Sequence, residues 1–85
     1  MSKVAIVTGG AKGIGFGSAT QLLEAGFSVA LFDIDAQGLS NAIKELSKYG
    51  DRVKSYEVDI AKEVAVKVAI DQVAKDFGRV DAVAN

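Results

Sequence analysis

A short apolar run, Val4 to Val7, hands over to a stretch of helical spacing through Thr8-Gly9-Gly10-Ala11-Lys12-Gly13-Ile14-Gly15. No other feature of the chain restricts its fold as much. A strand that ends in glycines and turns directly into a helix demands backbone conformations that side chains resist and a close approach of helix to strand. It also leaves the free N–H groups of a helix N-terminus, with their partial positive charge, pointing out of the turn.

The rest of the chain repeats that hand-over. Val4 to Val7 suits a strand buried on both faces. From Ile14 to Ala25 the pairs Ser18/Leu22 and Ala19/Leu23 fall at helical spacing, and Gly26 stops the helix. Ser28 to Phe32 is a second buried-strand pattern. Leu39, Ile43 and Leu46 then recur on one helix face, with Asp35 as its cap and Gly50 as its end. Val53 to Val58 is a third strand, Val66, Ile70, Val73 and Phe77 stripe a third helix ended by Gly78, and Val80 to Ala84 begins a fourth strand. The order β-α-β-α-β-α-β, with short connections and no proline, is that of a parallel sheet with helices on its faces. Right-handed crossovers make it doubly wound, and the first and fourth strands become neighbours. Two positions sit badly with local preference. Gly17 falls inside the first helix, at a cost of about 1 kcal/mol against alanine, and Ala61 stands where a Ser or Thr cap is expected.

Composition removes several classes of function. The chain has 85 residues, 49% of them hydrophobic, enough for one modest core rather than two. A net charge of -1, with both signs scattered, offers no basic face for nucleic acid. With no cysteine and no histidine, disulfides, thiolate chemistry, the usual zinc sites and His-based triads are excluded. The first apolar stretch is too short for a signal peptide or a membrane span, so a soluble, cytoplasmic protein is expected.

The glycine turn is therefore the place to look for chemistry. Its spacing, Gly9-x-x-x-Gly13-x-Gly15, differs from Gly-x-Gly-x-x-Gly, and no Gly-Lys-Ser/Thr follows, which disfavours a P-loop and a nucleoside triphosphatase. A helix N-terminus behind a glycine turn holds a pyrophosphate well, with Gly13 and Gly15 giving positive φ and tight helix packing. Asp33, 18 residues after Gly15, ends the second strand, where the ribose-binding acid of a dinucleotide site belongs. It would accept from the adenosine ribose hydroxyls and repel a 2′-phosphate, which points to NAD. Lys12 pulls toward NADP, since a cation there can meet the extra phosphate; a solvated lysine is the plainer reading. Ile34 and Asp35, rather than a basic residue, follow Asp33.

The segment Thr8 to Gly15 resembles the cofactor motif of the short-chain dehydrogenases/reductases, and the likeness spans the whole chain. It implies a Rossmann-type sheet of which these residues are the N-terminal half, as part of a single domain. It also implies that Asp59, in Val58-Asp59-Ile60, contacts the adenine with the Ile60 backbone beside it. Asp81-Ala82-Val83-Ala84-Asn85 is similar to the start of the family's Asn-Asn-Ala-Gly motif, so Asn85 joins the implied cofactor set of Gly9, Lys12, Gly13, Ile14, Gly15, Asp33, Asp59 and Ile60. The chain then reads as truncated. The resemblance further implies an oxidoreductase that is a homo-oligomer at full length, with a Ser, a Tyr and a Lys in Tyr-x-x-x-Lys spacing as catalytic groups. Within the family, Ser2 to Gly10 and Gly26 to Ala30 look most like the diacetyl/acetoin reductases (butanediol dehydrogenases), which implies a small hydroxyketone or diketone substrate; sugar alcohols and hydroxysteroids stay open.

No residue here takes a catalytic role. Val53 lies four positions after Tyr49 and Ile60 four after Tyr56, so both tyrosines read as partly buried packing residues with polar tips. Glu63 with Lys67 reads as an i,i+4 pair, and Asp76 with Asp81 as acids flanking a turn. Two other functions remain in competition: a binding module that holds dinucleotide without chemistry, and an interaction fragment with a vestigial turn.

Overall fold

A computed structural model describes residues 2–84. The sequence forms a four-stranded, wholly parallel sheet, order β3-β2-β1-β4, with strands β1 (Val4–Thr8), β2 (Ser28–Asp33), β3 (Val53–Glu57) and β4 (Ala82–Ala84). Between them run α1 (Gly13–Glu24), α2 (Ala36–Glu45) and α3 (Glu63–Phe77). This is the Rossmann-like arrangement that the alternation of patterns predicts.

The period-2 alternation of β1 and β2 splits the core into two layers. Val7, Val29, Leu31 and Val53 face α1 and α2, packing against Ala19, Leu23, Leu39, Ala42 and Leu46. Val4, Ile6, Ala30 and Phe32 face the opposite way, against Ala69 and Val73 of α3. Phe32 meets Tyr56 edge-on, with ring centroids 5.7 Å apart. Val66, Ile70 and Phe77 pack against this second layer but keep part of their surface.

The helix ends show how local chemistry terminates each element. Gly26 (φ 99°) closes α1, with its N–H on Leu23 O and the Phe27 N–H on Leu22 O, the two bonds of a Schellman motif. Arg52 Nη2 donates to Leu23 O and Phe27 O, both at 2.7 Å. A helix without a basic residue in its own last turn thus receives a cation from a distant segment. Gly78 (φ 86°) is the left-handed cap of α3, as its position implies.

Three sequence expectations need correction. The second helix ends at Glu45, not at Gly50: a 3-10 segment, Ser47–Arg52, follows, and Gly50 (φ 57°, ψ −129°) is the kink inside it. The cap position of α3 falls on Lys62 rather than Ala61, and no side chain caps it; Glu63 in the first turn supplies the favourable charge instead. Lys67 pairs with Asp71 at 3.5 Å, not with Glu63.

The other acids and the tyrosines have definite partners. Tyr56 Oη donates to Asp76 Oδ2 at 2.7 Å, and burial together with that carboxylate pushes the phenol above its ordinary range. Asp81 accepts from the Arg79 guanidinium and from Val4 N, which hold its carboxyl below the usual carboxylate range, and the bond to Val4 N ties the start of β4 to β1. Tyr49 packs against the α1/α2 layer, beneath the side chains of Lys48 and Arg52.

Among the described residues β4 ends the sheet and pairs only with β1, which leaves its outer edge without a strand partner; Val83 on it is exposed, as are Val64 and Val68 of α3. The 85-residue chain is expected to be marginally stable and to associate. Sedimentation at increasing concentration should show growing mass; a single cooperative thermal transition of a monomer would contradict this.

Candidate functional site

Because all four strands run parallel, the segments leaving β1, β2 and β3 emerge at one edge of the sheet. The connections β1-α1-β2 and β2-α2-β3 step outward on one face, whereas α3 carries the chain back across to place β4 on the other side of β1. The strand order reverses at β1/β4, the point where open α/β sheets form a ligand crevice beyond their carboxyl ends. Thr8 Oγ1 donates to Ala84 O at 3.3 Å across that point.

The glycines divide the work at the turn. Gly9 (φ 66°) and Gly13 (φ 63°) take left-handed backbone, and a Cβ at either would meet nothing within 4 Å, so the turn is open to whatever approaches it. At Gly15 a Cβ would fall on the carbonyl of Gly9, so only glycine lets the first turn of α1 rest on the end of β1. Gly10 is closely packed too, though less severely: its Cβ would stand 2.8 Å from Leu31 Cδ2, the end of a side chain, and 3.1 Å from Val7 O. Nothing in the glycine spacing separates Gly10 from its neighbour, and sequence reasoning left it out.

Lys12 is the cap residue of α1 and caps it with no side-chain bond. Helix geometry then gives the N–H groups of Gly13, Ile14 and Gly15 no intrahelical acceptor. The side chain of Ile14 is 89% exposed.

Asp33 stands one residue past the Thr8–Phe32 pairing, where its carboxylate reaches both neighbouring loops. Oδ2 accepts from Ala11 N at 3.1 Å and Oδ1 from Asp35 N at 3.0 Å. Each oxygen keeps further lone-pair capacity, so the carboxylate is fixed in place without being used up. Backbone bonds from Gly10 N to Phe32 O (3.2 Å) and from Val58 N to Asp33 O (2.9 Å) stitch the three strand ends together. Asp35 caps α2 as its position implies, accepting from Gly38 N at 3.0 Å. Gly38 is required there, since its Cβ would lie 2.6 Å from that carboxylate and 3.1 Å from Ala11 Cβ.

A cleft of about 140 Å³ opens among these segments, lined by Gly9, Asp33, Ile34, Val58, Asp59 and Ile60. Gly9, Asp33, Asp59 and Ile60 of the sequence-derived set meet in it; Lys12, Gly13, Ile14 and Gly15 stand next to it at the start of α1, and Asn85 lies outside the described residues. Asp59 Oδ1 accepts from Ala61 N at 3.0 Å, which turns the chain into α3. Ile34 and Ile60, 65% and 56% exposed, are apolar walls of the cleft. In the sequence Ile34 stood only as a non-basic residue after Asp33, and Val58 only as the end of a strand. Among the described residues no group of three or more His, Cys, Asp or Glu is placed to hold a metal, and no helix is long and apolar enough to cross a membrane.

A short chain dehydrogenase family profile matches residues 3–85, and the chain belongs to that family. It is 34% identical over 83 residues to 3beta-hydroxysteroid dehydrogenase 2 of Eggerthella lenta, covering 98% of this chain and 32% of that protein. It is also 34% identical over 85 residues to a diacetyl reductase, (S)-acetoin forming, of Staphylococcus epidermidis, covering 100% of this chain and 33% of that protein. The chain thus spans about a third of the length of the curated relatives it matches.

Among solved structures, 3-ketoacyl-(acyl-carrier-protein) reductase from Brucella melitensis complexed with NADH superposes with a TM-score of 0.86 at 33% identity, over 95% of this chain and 32% of that one. A short chain dehydrogenase/reductase from Burkholderia phymatum in complex with NAD gives 0.90 at 27%, over 96% and 29%. The C-domain of a bacterial malonyl-CoA reductase with NADP gives 0.83 at 34%, over 95% and 14%. The two curated relatives are named as a dehydrogenase and a reductase, and the three solved structures hold NADH, NAD and NADP respectively.

The two glycines with opposite surroundings make a sharp test. Gly15→Ala should lower stability by about 2 kcal/mol or more, because neither backbone can give way. Gly17→Ala, in the same helix with nothing within 4 Å of its Cβ, should raise it by about 0.5–1 kcal/mol. Urea denaturation of both variants checks the pair.

Proposed function

We propose that this chain is the cofactor-binding half of a single Rossmann domain in an NAD-dependent oxidoreductase. The observation that carries it is the meeting of Gly9, Asp33, Asp59 and Ile60 around one cleft beside the uncapped start of α1. The N–H groups of Gly13, Ile14 and Gly15, with the helix dipole, hold the pyrophosphate, and the open backbone at Gly9 and Gly13 lets it approach. Asp33 accepts from the adenosine ribose hydroxyls through lone pairs its two backbone bonds leave free. The adenine lies between the walls made by Ile34, Val58 and Ile60, with Asp59 and the Ile60 backbone at its edge.

The bound nicotinamide cofactor would supply the hydride exchanged with a carbonyl or secondary-alcohol carbon. The substrate is a small carbonyl or alcohol of the diacetyl, acetoin or 2,3-butanediol kind. The support for that is overall likeness to the diacetyl reductase, which the steroid dehydrogenase matches in identity. NAD is preferred over NADP because Asp33 meets the position of a 2′-phosphate with a fixed negative charge.

Titration of NADH and NADPH against the chain, followed by nicotinamide fluorescence, tests the assignment. Tighter binding of NADH is expected, with Asp33→Ala weakening NADH about tenfold while relaxing the rejection of NADPH. Simple loosening of the loops would weaken both ligands equally. An unchanged ratio of the two affinities would remove Asp33 from the ribose site.

A further inference from the structure

β3 is the other free edge of the sheet: among the described residues it pairs with β2 alone. Val58 donates its N–H to Asp33 O, and by the alternation of a strand Tyr56 and Lys54 also turn their backbone groups to β2. The N–H and C=O groups of Ser55 and Glu57 therefore point outward, whereas Val53 N–H is taken by Gly50 O. Both sides of this edge are open. A cleft of about 570 Å³ lies between it and α2, where Ala36, Ser40 and Lys44 meet Ser55 and Glu57. Another of about 420 Å³ lies between it and α3, lined by Tyr56, Val58, Ala65 and Val68. Charged side chains ordinarily guard such an edge. Here Lys54 is laid over the Phe77 ring, its Nζ 5.9 Å from the centroid, and the exposed Glu57 makes no ion pair among the described residues.

We propose that β3 pairs antiparallel with β3 of a second copy of this chain, about a two-fold axis at Tyr56. Ser55 of each copy then stands opposite Glu57 of the other, and each such pair exchanges both of its backbone N–H···O bonds. The same register sets the Ser55 hydroxyl against the Glu57 carboxylate on the side of α2, and Tyr56 against Tyr56 on the side of α3. Cross-strand pairs of these kinds stabilise strand pairing. A shift of two residues one way would set Glu57 against Glu57. The opposite shift would call on Val53 N–H, which Gly50 O already holds. The edge is thus complementary to itself in one register, the condition for a symmetric dimer. The two sheets become one continuous sheet, and because the copies run oppositely their glycine turns lie at its two ends. The contact is one short strand from each copy, so the dimer is weak and depends on concentration.

The chain has no cysteine, so a single engineered thiol reports the register. Opposed Cα atoms of a non-hydrogen-bonded pair lie about 4.5 Å apart, within disulfide reach. Tyr56→Cys should therefore give a covalent dimer on mild oxidation, whereas Ser55→Cys, roughly 9 Å from its counterpart along the diagonal, should not. Tyr56 also holds Asp76 and packs on Phe32, so a second measurement leaves it intact. Sedimentation equilibrium of the wild-type chain up to about 1 mM should show a monomer–dimer step. Glu57→Lys, which loses both Ser55–Glu57 contacts, should weaken that step about tenfold, and Val83→Lys on β4 should leave it in place. A wild-type chain that stays monomeric over this range would overturn the proposal. So would a dimer that Val83→Lys abolishes and Glu57→Lys spares, a folded Tyr56→Cys chain that gives no disulfide, or one that forms as fast at position 55 as at 56.

Discussion

The contact on which the rest of this structure depends is that between the first turn of α1 and the carbonyl of Gly9, a distance of approach that any side chain at position 15 would block. It seats α1 on the end of β1, and from that seat Ala19 and Leu23 reach the buried layer formed by Val7, Val29 and Leu31. It also decides where the N-terminus of the helix points. Packing and the proposed pyrophosphate site thus share one cause: a backbone brought so close that its free N–H groups face the crevice instead of a side chain.

Asp33 does for the loops what Gly15 does for the helix. By accepting one N–H from the β1-α1 loop and one from the β2-α2 loop, it converts two irregular segments into a fixed wall. In the proposed site, a carboxylate held in this way would not move aside for an extra phosphate. The cleft beside it is small, with Ile34, Val58 and Ile60 as its apolar walls and Asp33 and Asp59 as its acids.

Much of this was legible in the sequence because the determining residues act locally or periodically. The strands and helices followed from apolar runs and helical spacing, the glycine turn and Asp33 from their places at strand ends, and Asp59 from the family resemblance alone. Gly10 and Gly38 escaped because their need for glycine comes from Leu31 and from Asp35 with Ala11, contacts made only after folding. Arg52 escaped for the same reason: it closes a helix that ends 28 residues before it. Gly50 misled, since a glycine after a helical pattern stops a helix and kinks a 3-10 segment equally well.

The central claim is that the strand ends form one dinucleotide cradle, and the most direct measurement is an amide-resolved NMR titration of the chain with NADH. Saturable shifts should appear at Gly9 to Gly15, Asp33 to Asp35 and Asp59 to Ala61, while the amides of Ser47 to Arg52 stay in place. Shifts confined to other surfaces, or none at millimolar NADH, would contradict it.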